Sequence, residues 1–453
     1  MDALIVIFIT GLVGLFVGMM KKPVLTLSIS ALGLVTAFIL TLFSRSYVSI
    51  FSKYNGLSTS PLTDAFSLLA IGLTLLIVLG GFSYFKKDKE HTADYYGLML
   101  FSLCGALILI SFNNFFMFFL GLEIMSIPVY VLVGIKKSNV LSSEASIKYF
   151  FTGSFATGIL LFGIALIYGA TGTFDLATIN SIRGIAEPSP MFHIGVLFML
   201  AAFLFKVGAV PFHFWSPDVY QGSTDAIMSY MATVVKLAAL CAFVTLFSNV
   251  FIDSRKIYDS DKIYFTILTV VIAGSFFLGY LSALKQSNFK RMLAYSGISN
   301  TGLAMLTILT GDFGSLWVFL IGYTAATVTL MTLSQAIDKI DSEDIVNWKG
   351  IGYKNPFIGV VILISFLSLA GIPPLTGFFG KFLILSNAYQ NHLALVILGL
   401  ISSVIGAYLY LRFIVLAFAK DSNAEKIVLT PLQYVVLSIG TLVVILGSSI
   451  LIF

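Results

Sequence analysis

The chain has 453 residues, of which 58% are hydrophobic and only 10% charged, with a mean hydropathy of +1.00. A soluble fold of this length would lack the polar surface to clothe it, so the composition excludes a soluble globular protein and implies a polytopic membrane protein. The net charge of +5 is small for so long a chain, and the two cysteines, Cys104 and Cys241, lie in apolar runs, which argues against nucleic-acid binding, a disulfide framework or a metal knuckle.

The first apolar run, 3–20, follows Asp2 and precedes Lys21 and Lys22. That reverses the charge order of a secretory signal, so it reads as a retained first helix. At about 20 apolar residues per crossing, fourteen spans are expected: 3–20, 23–43, 65–85, 95–112, 115–135, 146–169, 192–214, 226–249, 263–283, 289–309, 313–337, 357–386, 393–419 and 430–453. The fourth and fifth are separated only by Asn113-Asn114. No window alternates strictly between apolar and polar residues, so the expected fold is all-α and not a membrane barrel.

The basic residues set the topology. With fourteen spans, the odd-numbered loops hold Lys21, Lys22, Lys86, Lys87, Lys89, Lys136, Lys137, Lys285, Lys290, Arg291, Lys339, Lys349, Lys354, Lys420 and Lys426. The even-numbered loops hold Arg45, Lys53, Arg183, Arg255, Lys256 and Lys262. Fifteen against six places the odd loops in the cytoplasm and both termini outside.

Of the 26 Lys and Arg, this leaves Lys148, Lys206, Lys236, Lys381 and Arg412 within spans, and of the 21 Asp and Glu only Glu123 falls well inside one. A lysine near mid-membrane costs about 2.5–3.5 kcal/mol on insertion scales, so such residues face a cavity or a partner and mark ion or substrate paths. Lys148 has a plainer reading as a snorkelling partner of Glu144, four residues earlier on the same helix face. Arg412 reads equally as a snorkelling residue, and Glu123 as half of a structural ion pair. One acid among five bases is a cation-handling pattern that works partly by keeping lysines neutral.

Two spans are interrupted. Lys206 precedes Gly208-Ala209-Val210-Pro211-Phe212-His213, and Lys381 follows Gly371-Ile372-Pro373-Pro374-Leu375-Thr376. A proline in a span frees a carbonyl that lipid cannot satisfy, so these segments must face protein or water. His213, just past the first break, reads either as a packing residue or as part of the path. The prolines Pro211 and Pro374 are 163 positions apart, five spans in all, an odd number. Paired breaks of this kind point to an inverted repeat with its site at the breaks. Spans four to eight would then face spans nine to thirteen, dividing the chain into 1–94, 95–249, 250–419 and 420–453.

Five blocks carry a resemblance. Gly121-Leu122-Glu123, Ala145-Ser146-Ile147-Lys148-Tyr149-Phe150, Val210-Pro211-Phe212-His213-Phe214-Trp215-Ser216-Pro217-Asp218, Lys290-Arg291-Met292-Leu293-Ala294-Tyr295-Ser296 and Gly371-Ile372-Pro373-Pro374 through Lys381 resemble, in order, the antiporter-like subunits of respiratory complex I. Mrp cation/proton antiporters share that family. The resemblance covers spans four to thirteen. It implies that Glu123 matches the family's fifth-helix glutamate, and that Lys206, Lys236 and Lys381 match its lysines in helices seven, eight and twelve. Lys148 and His213 match polar positions along the same hydrated axis.

The resemblance further implies a proton-translocating subunit of an NADH:quinone oxidoreductase in a bacterial inner membrane, with no redox centre of its own. NADH, FMN, iron–sulfur clusters and quinone would belong to other subunits. The implied partners are a neighbouring antiporter-like subunit, the small-helix subunits near the quinone site and the lipid bilayer. Two departures stand out: Ser223-Thr224-Asp225-Ala226 replaces a proline-containing segment and adds an acid, and Asn300 stands where a histidine is common. A sodium-exchanging Mrp-type antiporter or hydrogenase subunit would use the same residues, and a scaffold subunit would use the lysines only to hold its fold.

Overall fold

The computed structural model describes residues 2–43, 56–86, 91–185, 187–251, 261–337, 343–421 and 426–452. Arg45, Lys53, Lys87, Lys89, Arg255, Lys256 and Lys339, all used in the topology count, lie outside the described residues. The helices are α1 Asp2–Gly18, α2 Pro23–Leu42, α3 Pro61–Phe85, α4 Thr92–Ser111, α5 Phe115–Val133, α6 Val140–Thr171, α7 Leu176–Ile185, α8 Pro190–Val207, α9 Trp215–Gly222 and α10 Asp225–Tyr230. They continue as α11 Lys236–Leu246, α12 Lys262–Ala283, α13 Phe289–Thr310, α14 Phe313–Ile337, α15 Ile351–Lys354, α16 Pro356–Ala370, α17 Thr376–Ala388, α18 Leu393–Phe418 and α19 Pro431–Leu446. A π-helical turn, Met231–Val235, joins α10 to α11. Among the described residues there is no β-strand, only isolated bridges.

Twelve helices among the described residues are long and apolar enough to cross a membrane, and two shorter apolar helices, α1 and α16, accompany them. The protein is a multi-pass, all-helical membrane protein. The expected twelfth span is divided into α16 and α17, and the expected seventh ends at Val207, with α9 resuming after a non-helical stretch. Both breaks follow a glycine in the left-handed region, Gly208 at φ 70° and Gly371 at φ 82°, where any Cβ would be strained.

Local chemistry explains the other boundaries. The Asn113-Asn114 interruption is a true break because the Asn114 side chain accepts a hydrogen bond from Met117 N at 2.8 Å and starts α5. Helix α6 is longer than expected at both ends: Asn139 caps its first turn, and Gly172, also left-handed, closes it. The ten-residue α7 had no counterpart in the sequence reading, since only Leu176, Ile179 and Arg183 on it are buried.

The most deeply buried segment lies at the middle of the sequence. The segment from α10 to α11 is wholly buried and α13 and α14 nearly so, whereas α2, α6 and α18 turn most of their surface outward. Helices α6 and α8 pack closely through Gly163 and Gly195: a Cβ on Gly163 would lie 2.8 Å from the Gly195 carbonyl oxygen. That contact fixes α8, and so Lys206, against its neighbours.

Candidate functional site

Glu123 lies partly buried on α5, where its carboxylate Oε1 accepts a hydrogen bond from Thr157 Oγ1 of α6 at 2.9 Å. One turn further along α5, Ser126 accepts from Lys206 Nζ at 2.5 Å and itself donates to the Leu122 carbonyl. The Lys206 ammonium also stands 5.8 Å from the centre of the Tyr130 ring. A small cavity of about 10 Å³, room for roughly one water, is lined by Thr157, Tyr130 and Lys206. Glu123 and Lys206 thus reach the same region by separate partners, Glu123 through Thr157, which lines this cavity, and Lys206 through Ser126, without forming an ion pair with each other.

Lys236 opens α11 directly after the π-helical turn and is buried at the centre of the bundle. Its Nζ donates to the Gly297 carbonyl of α13 at 3.4 Å and lies 6.0 Å from the Tyr323 ring of α14. Lys381, also buried, donates to the Leu369 carbonyl at 2.6 Å and lies 3.4 Å from that of Ala370. These are end carbonyls of α16 that the break leaves without intrahelical partners. Lys381 borders two cavities. One, about 410 Å³, is lined by Phe378, Tyr389, Ser386 and Ser403. The other, about 10 Å³, is lined by Tyr280, Ser299, Asn300 and Ser402.

Helix α13 therefore runs between the two lysines. Its Gly297 touches Lys236, and its Asn300, three residues on, borders the small cavity of Lys381. Asn300 Nδ2 donates to Ser296 O at 3.0 Å and to Tyr410 Oη at 3.4 Å, and its Oδ1 accepts from Tyr280 Oη at 3.5 Å. Sequence reasoning noticed Asn300 only as a departure and missed Tyr280, Tyr410, Ser299 and Ser402. The polar run Ser296-Gly297-Ile298-Ser299-Asn300-Thr301 inside an apolar span was the available signal.

Lys148 and His213 are placed differently. Lys148 is 43% exposed and sits between Glu144 at 2.6 Å and Asp218 at 2.9 Å, with Arg291 on the other oxygen of Asp218 at 2.6 Å. It belongs to an ion cluster at the helix ends, apart from the three buried lysines. His213 is buried in the loop between α8 and α9, its Nδ1 without a hydrogen-bond partner, its ring 4.4 Å from that of Phe214. No hydrogen bond joins it to Lys206 or Lys236. Arg412 lies on the outside and donates to the Leu284 carbonyl at 3.3 Å.

Two residues assigned to loops by the sequence are buried instead. Lys290, in the first turn of α13, pairs with Asp225 at 2.9 Å and Glu343 at 3.2 Å. Arg183 of α7 pairs with Asp261 at 2.5 Å, both almost fully buried. Each buried cation has an acid brought to it from a distant part of the chain, which is what makes its burial tolerable. Lys206, Lys236 and Lys381 have none: among the described residues, no carboxylate forms an ion pair with any of them.

The fold is a membrane bundle with two broken helices and three buried lysines, and residues 112–406 match the family model described as NADH:quinone oxidoreductase/Mrp antiporter, transmembrane. The chain belongs to that family. Within it, the similarity is to subunit N of NADH-quinone oxidoreductase: the protein of that name from Cytophaga hutchinsonii is 39% identical over 93% of this chain and 91% of its own length. The subunit N of Flavobacterium psychrophilum is 35% identical over 98% and 96%. Among solved structures, a chain of respiratory complex I from Thermus thermophilus superimposes with a TM-score of 0.83 at 28% identity, covering 98% of this chain and 96% of that one. A chain of the Mrp complex from Dietzia shares the fold, with a TM-score of 0.84 over 100% and 96% at 19% identity.

Proposed function

We propose that this chain is a proton-translocating membrane subunit of an NADH:quinone oxidoreductase in a bacterial inner membrane, moving protons along an axis of Glu123, Lys206, Lys236 and Lys381. The observation that carries the reading is the burial of three lysines, none of them salt-bridged to a carboxylate among the described residues. Burying an ammonium without a salt-bridged carboxylate is costly, and giving up its proton removes that cost. Each such lysine is therefore a site whose protonation a small electrostatic change can reverse, which is what a relay requires.

In this reading the chain crosses the membrane fourteen times, counting α1 and the broken pair α16–α17, with both termini outside. Residues 95–249 and 250–419 form two inverted repeats between an N-terminal segment, 1–94, and a last helix, 420–453. Lys206, held by Ser126 rather than by Glu123, is in a state from which its proton can leave. Movement of Glu123 toward Lys206 would hold the proton there, and withdrawal would release it toward Lys236. From Lys236 it would pass Asn300, Tyr280 and Tyr410 to Lys381, whose open cavity would be the way out or onward to a neighbouring subunit. Lys148 and His213 would serve the cytoplasmic approach. NADH, FMN, iron–sulfur clusters and quinone would belong to partner subunits.

The test is the Lys206→Ala variant in the assembled complex. Loss of proton uptake per NADH oxidised supports the relay. Unchanged stoichiometry contradicts it, and sodium-dependent exchange without NADH oxidation would move the chain to an antiporter role.

A further inference from the structure

Asp225 lies off this axis, at the start of α10, and its pairing with Lys290 is the inner half of a three-residue node. Asp225 and Lys290 are about nine-tenths buried, whereas Glu343, the second acid on Lys290, is 42% exposed. Lys290 Nζ also donates to the Ser223 carbonyl at 3.0 Å. The node thus has one acid facing outward and one facing into the bundle. Lysine would remain held by Glu343 and Ser223 if Asp225 were to lose its charge.

From Asp225 the chain runs through α10 and the π-helical turn to Lys236. Ser229 and Thr233 succeed Asp225 at four-residue intervals, and Thr233 Oγ1 donates to the Ser229 carbonyl at 2.6 Å. The hydroxyl of Ser229 is buried and has no protein partner, and the same holds for Thr224 beside Asp225 and for Ser334 on α14, the helix packed against α10. Orphaned buried hydroxyls are rare in native proteins and are commonly satisfied by ordered water. Of these, Thr224 adjoins the node and Ser229 stands one turn from Asp225 toward Lys236, where its orphaned hydroxyl is a place for bridging water. The π-helical turn interrupts regular backbone bonding between Ser229 and Lys236, a feature that recurs at functional sites.

We propose that Asp225 is the proton-loading residue of Lys236. A proton from the cytoplasmic water protonates the Asp225 carboxylate, and Lys290 keeps Glu343 and Ser223 as partners. The proton then passes over water held by Ser229 and Thr233 to the neutral amine of Lys236, and Asp225 returns to its carboxylate on Lys290. The net change is one proton moved from the aqueous phase to Lys236. The inference rests on Lys236 being a proton carrier, as proposed above.

Inverted membrane vesicles carrying the assembled complex test it, with NADH-driven proton uptake and NADH:quinone turnover recorded together. Asp225→Asn, which keeps the shape but carries no proton, is expected to lower uptake severalfold, and Asp225→Glu is expected to restore most of it. Equal loss in both, with the complex assembled, would show a structural clasp and overturn the proposal. If Asp225→Asn does not assemble, Ser229→Val decides: it leaves the ion pair intact, and unchanged uptake would overturn the proposal while a severalfold loss would support it. Full activity of Asp225→Asn beside an inactive Lys236→Ala would sink the loading role alone. Full activity of Lys236→Ala would sink the relay itself.

Discussion

Lys381 Nζ lies 2.6 Å from the carbonyl oxygen of Leu369, so the lysine of α17 closes the open end of α16 across the break at Gly371. One side chain therefore both satisfies a broken helix and stands on the proposed path. Lys381→Met removes the donor and leaves buried carbonyls unpaired, at a cost of about 1–3 kcal/mol. Lys381→Gln retains a donor. The expected outcome is a lowered thermal midpoint in detergent for Lys381→Met, a nearly normal one for Lys381→Gln, and loss of proton uptake in both.

Gly297 sits where a Cβ would come within 3.0 Å of Tyr323 Oη and 3.4 Å of Lys236 Nζ. Gly297→Ala is expected to displace the lysine from its carbonyl partner and slow turnover, while the surrounding helices remain assembled. Quinone reductase activity in vesicles, alongside immunodetection of the complex, separates the two effects.

The contact of Gly163 with Gly195 holds α6 against α8, and through them Thr157 on Glu123 and Lys206 on Ser126. Gly163→Val is expected to cost about 1–3 kcal/mol as an overpacked contact. Its first readout is a reduced amount of assembled protein, with any residual complex poorly coupled.

Arg183 and Asp261 form an almost fully buried ion pair joining α7 to the start of α12. Removing one partner takes this salt bridge from a buried charge, so Arg183→Ala is expected to destabilise by about 3–5 kcal/mol, whereas the double change Arg183→Met with Asp261→Leu is expected to recover part of the loss. Thermal unfolding of the three variants checks this.

Much of this architecture was legible because a bilayer leaves few options. Apolar length marked the helices, Asn113-Asn114 marked a junction, and Gly208 and Gly371 marked breaks that lipid would not tolerate unless protein covered them. The lysines at 206, 236 and 381 stood out by cost alone. What remained hidden depends on partners remote in the chain: that Lys290 meets Asp225, that Arg183 meets Asp261, and that Asp218 joins Glu144 on Lys148. The π-helical turn before Lys236 leaves no periodic signature in a segment buried on all sides, and α7 buries too few residues to announce itself. Asn300 was visible as a departure, but its bonds to Tyr280 and Tyr410 required the fold.

The most direct measurement is proton uptake together with NADH:quinone turnover in inverted membrane vesicles carrying Lys236→Ala, with immunodetection of the assembled complex. The expected result is an assembled complex whose proton uptake collapses, since the variant removes the amine that stands between the Gly297 carbonyl and the Tyr323 ring. An assembled complex that takes up protons at the normal ratio to NADH would contradict the buried-lysine relay.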